Sequence, residues 1–299
     1  MMAAIEQTLR GTLKLNEPMS RHTSWRVGGP AERYYEPADL DDLAEFLSQR
    51  DKDESLMWVG LGSNLLVRDG GITGTVIMTS GLLKEIELLD EGLVRAEAGV
   101  ACAKVARFCA RQHLVGAEFL AGIPGTMGGA LAMNAGAFGG ETWQHVAAVE
   151  TIDRKGQRHL RQPEEFQVAY RFVKGVSDEW FVAAHLRLHR GDSDAATARI
   201  KELLERRSAT QPIGLPSCGS VFRNPEGDHA ARLIEVSGLK GTCIGGACVS
   251  EKHANFIINT GNATAAEIEA LIEKVWAEVV RQHGVELIRE VHIVGEVAE

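Results

Sequence analysis

The chain has 299 residues, 44% apolar and 24% charged, enough for two or three compact units and too apolar for a disordered polypeptide. The 32 Lys and Arg against 41 Asp and Glu leave a net charge of −9, which argues against nucleic-acid partners and anionic membranes, both bound chiefly through clustered cations. Glycine is abundant, 32 residues beside 8 prolines, as expected where backbone comes close to another group.

Residues 1–18 carry Glu6 and lack an apolar segment, so they do not read as a secretory signal. Asp39 can cap a helix whose Leu40, Leu43, Ala44 and Leu47 follow i, i+3, i+4, i+7 spacing. Leu56–Val59 reads as a buried strand running into Gly60-Leu-Gly-Ser-Asn64. Residues 65–67 and 75–78 are further short strands, with Asp69-Gly-Gly71 as a turn, so 20–80 resembles a small βαβ-type unit. Strands are expected at 85–89, 93–97, 146–153 and 181–188, with a helix at about 101–113 carrying Val105, Phe108 and Cys109 on one face. A charged helix at 194–208 connects to a third block. There Thr264-Ala-Ala-Glu267 is a capping box opening a long amphipathic helix, and a strand at about 287–294 closes the chain.

Cysteines stand at 102, 109, 218, 243 and 248, an odd number with no Cys-x-x-Cys pair. A disulfide framework is not expected and a reducing compartment fits. Cys243, Cys248 and His253 lack a fourth ligand at zinc spacing, so no metal is expected and buried thiols are the plainer reading. Residues 119–140 hold 22 uncharged residues, long enough to span a bilayer, and include Gly125-x-x-x-Gly129. Seven are Gly and only three are Leu, Ile or Val, so the segment is too weakly apolar to insert and the protein is expected to be cytoplasmic.

Two glycine loops carry the chemical signal. In Gly60-Leu-Gly62-Ser63-Asn64-Leu65, following a strand, backbone N–H groups can form an anion nest. The third glycine of a dinucleotide fingerprint would fall on Leu65, and no Gly-Lys-Ser/Thr follows, so neither a Rossmann motif nor a P-loop is present. In Gly122-Ile123-Pro124-Gly125-Thr126-Met-Gly128-Gly129, proline fixes a turn, and small residues lead into a short helix whose start suits a pyrophosphate. Two glycine loops for one anion point to a dinucleotide held by two lobes; the plainer reading is close helix packing.

These two loops, Asn134-Ala135-Gly136-Ala137, Tyr170-Arg171, Gly219-Ser-Val-Phe-Arg-Asn-Pro225 and Glu290-Val-His-Ile-Val294 together resemble the UDP-N-acetylenolpyruvoylglucosamine reductase (MurB) family, from about His22 to Gly295 and in family order. The resemblance implies an α+β protein. A two-lobed FAD-binding fold of the vanillyl-alcohol-oxidase (PCMH) type would comprise lobe 1 at 1–80, open to completion by the C-terminal strand, and lobe 2 at 81–192. A C-terminal α+β substrate-binding domain would occupy 205–299. It implies bound FAD, NADPH as co-substrate and a UDP-sugar as substrate, with a monomer favoured. The FAD would be met by Gly60, Gly62, Ser63, Asn64, Leu65, Gly122, Ile123, Pro124, Gly125, Thr126, Gly128, Gly129, Asn134, Ala135 and Gly136.

The implied reaction passes hydride from NADPH to flavin and then to C3 of an enolpyruvyl ether, with protonation at C2. The developing enolate needs cations or proton donors at its carboxylate and an acid at C2. By resemblance Arg171 serves the carboxylate, Glu290 supports the enolate and Ser220 donates the proton, while Tyr170, Arg223, Asn224, Lys252 and His253 contact substrate. A lone Arg is otherwise a surface charge, and Gly219-Ser220 otherwise a turn. The chain departs from some members: only eight residues separate Arg171 from Trp180, and none of Tyr34, Tyr35 and Tyr170 is placed to clamp uridine, so it resembles the shorter type lacking a tyrosine loop. Cys218, two residues before Ser220, is either oxidation-sensitive or structural. The rival readings are another FAD-dependent sugar or hydroxy-acid oxidoreductase on the same fold, and a nucleotide-binding module without turnover.

Overall fold

The computed structural model describes residues 9–298; residues 1–8, at the start of the stretch read against a signal, lie outside them. The described chain packs as two units, one comprising residues 9–14, 33–61 and 74–206, the other 15–32, 62–73 and 207–298. The boundary expected at residue 80 falls within the first.

In the first unit, helix α1 (Leu40–Ser48) starts where its cap was expected: an Asp39 carboxylate oxygen accepts from the N–H groups of Asp41 and Asp42 at 3.0 and 2.9 Å. It buries Leu40, Leu43, Phe46 and Leu47 with Tyr35 and Ile77. A four-stranded sheet has the order Thr12–Pro18, Pro30–Glu36, Ile72–Met78, Leu56–Val59, the last two parallel. A second sheet is antiparallel, with order Arg158–Arg161, Val146–Asp153, Glu179–Arg187, Leu93–Glu97, Ile86–Asp90. Its inward face packs on α2 (Cys102–Arg111) and α3 (Met127–Met133) through Val94, Val105, Cys109, Leu131, Val149 and Leu186. The expected strands are all present here, as is the helix at 101–113, two residues shorter at its C-terminal end. The hairpin Gln167–Ala169/Phe172–Lys174 was not anticipated. Helix α4 (Ser193–Thr210) occupies the charged connector.

The second unit holds α5 (Ala230–Val236), α6 (Ala265–His283) and an antiparallel sheet, Cys243–Ile244, Ala247–Val249, Ile257–Asn259. Helix α6 begins in the expected capping box, Thr264 Oγ1 accepting from Glu267 N at 3.1 Å and the Glu267 carboxylate from Thr264 N at 3.0 Å. Its apolar stripe Ile268, Leu271, Ile272, Val275 and Val279 is fully buried against Leu233, Ala247, Val249 and Ile257. Trp25 lies in the same core, its indole N–H donating to Ile257 O at 2.7 Å.

Two expectations change. Leu65–Val67 does not join a 20–80 unit: it pairs in parallel with His292–Val294. All three of its residues are buried, so no alternation identified its partner. The closing strand is His292–Val294 alone, because residues 288–290 pair elsewhere: Ile288 O accepts from Arg223 N at 2.8 Å, and Glu290 N donates to Val221 O at 2.8 Å.

The expectation of no disulfide is also overturned. Cys243 and Cys248 are bonded, facing each other across the two-residue Gly245-Gly246 hairpin turn with Cα atoms 4.1 Å apart. A separation of five closes such a pair only when the turn between is tight, which spacing alone did not reveal. Cys102, Cys109 and Cys218 are free and buried, and burial pushes each thiol up to about 12. The Cys218 S–H donates to Leu65 O at 3.4 Å, so the structural reading of that thiol holds. Among the described residues no helix is long and apolar enough to cross a membrane; in the uncharged run 119–140 the only α-helix is α3, seven residues long.

Candidate active site

A cavity of about 280 Å³ opens in the first unit. Trp58 and Trp180, stacked with ring centroids 5.3 Å apart, line it with Phe166, Phe181, Val173 and Val176. Much of the remaining wall is bare backbone: Gly60, Gly128 and Gly129. A side chain on Gly60 would put its Cβ 2.3 Å from Thr126 Oγ1, and one on Gly128 would meet Ala98 Cβ at 2.9 Å. Gly129 has nothing closer than Thr126 Oγ1 at 3.9 Å, so its α-hydrogens face open space. Thr126 Oγ1 and Trp58 Nε1 are buried without a hydrogen-bond partner among the described residues, an arrangement costly unless a ligand or small rearrangement satisfies them. Glu179, also on the wall, is already engaged by Arg161 and by Thr151 Oγ1 at 2.6 Å, and the guanidinium holds its carboxyl below the usual range. Flat apolar walls, glycine backbone and two orphaned polar atoms fit part of an aromatic dinucleotide such as FAD.

The proline turn is present: Gly125 N donates to Ile123 O at 2.9 Å around Pro124. The helix that follows does not offer its first amides to an anion, because Met127 N donates to Val100 O and Gly128 N to Ala98 O, each at 2.9 Å. Gly122 is a packing glycine, its missing Cβ standing 2.4 Å from the Phe138 ring. Of this loop, Gly128 and Gly129 line the cavity and Thr126 lies just beneath it.

Asn134, the left-handed C-cap of α3 at φ 45°, is buried and fully engaged. Its side-chain amide donates to Glu141 at 2.9 Å and to Ala169 O at 3.2 Å, and accepts from Trp143 N at 3.1 Å. It thus ties the helix end to the hairpin that carries Arg171. The hairpin turn is Tyr170-Arg171, with Arg171 at φ 53°, a conformation unusual for a side-chain-bearing residue. The Arg171 guanidinium donates to Asn134 O at 3.3 Å and Gly136 O at 3.0 Å and lies 5.0 Å from the Tyr170 ring centroid. Ala135 sits on the same turn, its carbonyl accepting from Thr142.

In the second unit, Gly62 adopts φ 64° and a Cβ there would stand 2.0 Å from His22 O, so this glycine is dictated by the turn itself. Asn64 donates from its amide to Glu290 O at 2.9 Å and accepts at its carbonyl from His292 N at 3.1 Å. Ser63 stands half-buried before it, and Leu65 enters the parallel pair. Ser220 is half-buried after Gly219, itself at φ 72°. The next residue, Val221, accepts from Glu290 N, so Ser220 and Glu290 lie on neighbouring backbones. Arg223 has its Nε buried without a partner among the described residues. Asn224 is exposed, its side-chain oxygen accepting from Ala230 N at the start of α5. Lys252 Nζ donates to Ser208 O at 2.6 Å. The His253 ring packs on Phe256 with its Nδ1 buried and unpartnered, and burial lowers its pKa below the ordinary value, leaving it neutral at pH 7.

Sequence reasoning missed Asn255, 3% exposed, which bonds through its side chain to both backbone groups of Phe222. Its only signal is a lone amide between apolar Ala254 and Phe256. It also missed the Trp58–Trp180 wall, since tryptophans on two strands far apart in sequence carry no shared periodic signature.

Fold and site define a flavin-dependent oxidoreductase of the PCMH type. Residues 31–160 match the FAD binding domain family, and residues 211–294 match the family model described as UDP-N-acetylenolpyruvoylglucosamine reductase, C-terminal domain. The chain is 64% identical to the UDP-N-acetylenolpyruvoylglucosamine reductase of Alkalilimnicola ehrlichii over 99% of both chains. It is 62% identical to that of Legionella pneumophila strain Lens over 96% of this chain and 94% of the other. It also resembles the crystal structure of MurB from Thermus caldophilus, with a TM-score of 0.81 and 31% identity over 95% of this chain and 99% of that one. The chain belongs to the UDP-N-acetylenolpyruvoylglucosamine reductase family.

Proposed function

We infer that this chain reduces UDP-N-acetylenolpyruvoylglucosamine to UDP-N-acetylmuramate in peptidoglycan precursor synthesis, with FAD as its bound redox group and NADPH as reductant. The observation that carries this reading is the 64% identity to a named reductase over 99% of the chain. The glycine-walled cavity with its orphaned hydroxyl and indole N–H supports the flavin. In this reading 1–80 and 81–192 hold FAD, 205–299 takes the substrate, and the enzyme works in the cytoplasm as a monomer.

FAD, which Gly60, Gly128, Gly129 and the orphaned Thr126 hydroxyl and Trp58 indole N–H would hold, would supply the hydride chemistry by which NADPH reduces C3 of the enolpyruvyl ether. The electron pair of the C2–C3 double bond then becomes an enolate spread over C2 and the carboxylate. Arg171 offers that carboxylate a planar, permanently charged fork. Its support by two backbone carbonyls fixes the fork's direction without neutralising it. Ser220 gives its hydroxyl proton to C2 and recovers one from solvent. A serine hydroxyl is a weak acid in water, so the transfer depends on the strong basicity of the enolate carbon. Glu290 supports the enolate side, a role its carboxyl could fill only if it were protonated or oriented Arg171, because a bare carboxylate would otherwise repel the enolate. Arg223, Asn224, Lys252, His253 and Tyr170 meet the UDP-sugar.

The test separates the half-reactions. Ser220→Ala flavin should be reduced by NADPH at near the wild-type rate, and its reoxidation by enolpyruvyl substrate should slow about 10²–10⁴-fold, the usual worth of a positioned acid. Equal slowing of both halves would remove the proton-donor role.

A further inference from the structure

Val221 and Phe222, which follow Ser220, are each 1% exposed, yet neither lies in a regular sheet; Phe222 makes only an isolated bridge, to Arg289. Their backbone bonds must therefore be supplied individually. On one side the strip 288–290 does so: Ile288 O accepts from Arg223 N and Glu290 N donates to Val221 O, both at 2.8 Å. On the other side a single residue does the work of a strand. Asn255 O accepts from Val221 N at 2.9 Å, Asn255 Oδ1 accepts from Phe222 N at 3.0 Å, and Asn255 Nδ2 donates to Phe222 O at 2.8 Å. The side chain thereby forms the closed pair of bonds that an opposing peptide would form.

Asn255 sits on a short loop that is itself closed. Ser250 N donates to Phe256 O at 2.8 Å, Phe256 N to His253 O at 3.0 Å, and Ser250 Oγ accepts from the N–H groups of Lys252 and His253. Lys252 and His253 are thus carried on the loop that grips the residues after Ser220.

We propose that Asn255 is a positioning residue for Ser220, fixing the backbone from which the hydroxyl projects and setting it in register with the Lys252–His253 loop. The role rests on Ser220 being the C2 proton donor. Asparagine suits it because its amide is one donor and one acceptor at fixed separation; a carboxylate lacks the donor, and an alanine leaves two buried backbone groups of Phe222 without partners. Gly219 before Ser220 is free to take left-handed φ, so the clamp on the far side is what limits the serine's excursions.

The experiment uses the FAD-loaded enzyme in stopped-flow absorbance. Asn255→Ala should be reduced by NADPH within about twofold of wild type, while reoxidation by enolpyruvyl substrate slows about 10–100-fold, as expected for roughly an ångström of misplacement. In the double variant Ser220→Ala/Asn255→Ala, reoxidation should be no slower than in Ser220→Ala alone, because the clamp has nothing left to position. Should Asn255→Ala not fold, Asn255→Asp keeps the shape and the acceptor for Phe222 N–H and should show the same split at smaller size. Equal slowing of both halves, or losses that multiply in the double variant, would overturn the proposal. A slow Ser220→Ala beside a normal Asn255 variant removes only the positioning role; a normal Ser220→Ala removes the donor reading beneath it.

Discussion

The backbone N–H of Glu290 donates to the carbonyl of Val221 at 2.8 Å, placing Glu290 against the residue that follows Ser220. The two proposed catalytic residues lie 70 positions apart in sequence, and a hydrogen bond made by backbone rather than side chain puts their chain segments side by side. Asn64 reinforces it from a third segment by donating to Glu290 O at 2.9 Å. Asn64→Ala should therefore act on the oxidative half-reaction through Glu290 as well as on the flavin. FAD retention and the reoxidation rate, measured separately on one preparation, would both fall; a loss confined to FAD binding would show that Glu290 keeps its place without Asn64.

The glycines differ in what they can test. Gly62 is dictated by its turn, so any side chain there damages the fold first. Gly129 is helical and faces open space, so Gly129→Ala should be tolerated and slightly stabilising. Gly129→Leu should fill the cavity and release FAD while far-ultraviolet circular dichroism stays native. A fully yellow, folded Gly129→Leu protein would mean the flavin lies elsewhere.

Arg171 combines a left-handed backbone with a side chain proposed to meet the enolate, which permits a clean control. Arg171→Gly relieves the turn at φ 53° yet removes the fork. It should slow reoxidation by enolpyruvyl substrate about 10²–10³-fold, the usual cost of one preorganised oxyanion donor. Arg171→Lys should remain impaired because a point charge does not replace the fork. Wild-type reoxidation in Arg171→Gly would show that the enolate is stabilised by other groups.

Most of the architecture was legible because its signals are local. The Asp39 cap, the Thr264 capping box and the heptad-like stripe of α6 act within a few residues, and each appeared where expected. What was not legible depends on partners distant in sequence. Leu65–Val67 is apolar on both faces, so its own residues carried no signal for pairing with 292–294; only the resemblance raised the C-terminal strand as a completion of that lobe. The Cys243–Cys248 bond depended on recognising Gly245-Gly246 as a two-residue turn. In the candidate site, resemblance supplied the residues, but not that Asn134 engages Glu141, Trp143 and Ala169, nor that Asn255 clamps Phe222.

The disulfide gives a thiol count. Oxidised native protein should show no fast-reacting thiol with a chromogenic disulfide, because Cys102, Cys109 and Cys218 are buried with thiols pushed up to about 12. Three should appear on denaturation and five after reduction. Loss of the short loop closure by Cys243→Ser/Cys248→Ser should cost about 2 kcal/mol of stability in the chain-entropy account. Five thiols in unreduced, denatured protein would show that the pair is open.

Acid stability should report Glu150. Hydrogen bonds from Arg95 at 2.6 and 2.8 Å, with His185 at 2.7 Å, hold its carboxyl down at about 2 against an ordinary 4.5. A depressed folded-state value stabilises the protein above pH 4.5, and that contribution, at most roughly 3 kcal/mol, is lost as pH falls towards 2. Glu150→Gln should lower the melting temperature at pH 7 and flatten its decline below pH 4.5. An unchanged acid slope would place the acid sensitivity in other carboxylates.

The central claim, that this chain is an FAD enzyme moving electrons from NADPH to an enolpyruvyl UDP-sugar, is tested most directly by one anaerobic spectrum series on the purified protein. The account predicts a flavin absorption band that NADPH bleaches and that stays bleached until UDP-N-acetylenolpyruvoylglucosamine is added, when it returns in a single turnover. A colourless protein, or a bleached flavin that the enolpyruvyl substrate fails to reoxidise, would contradict it.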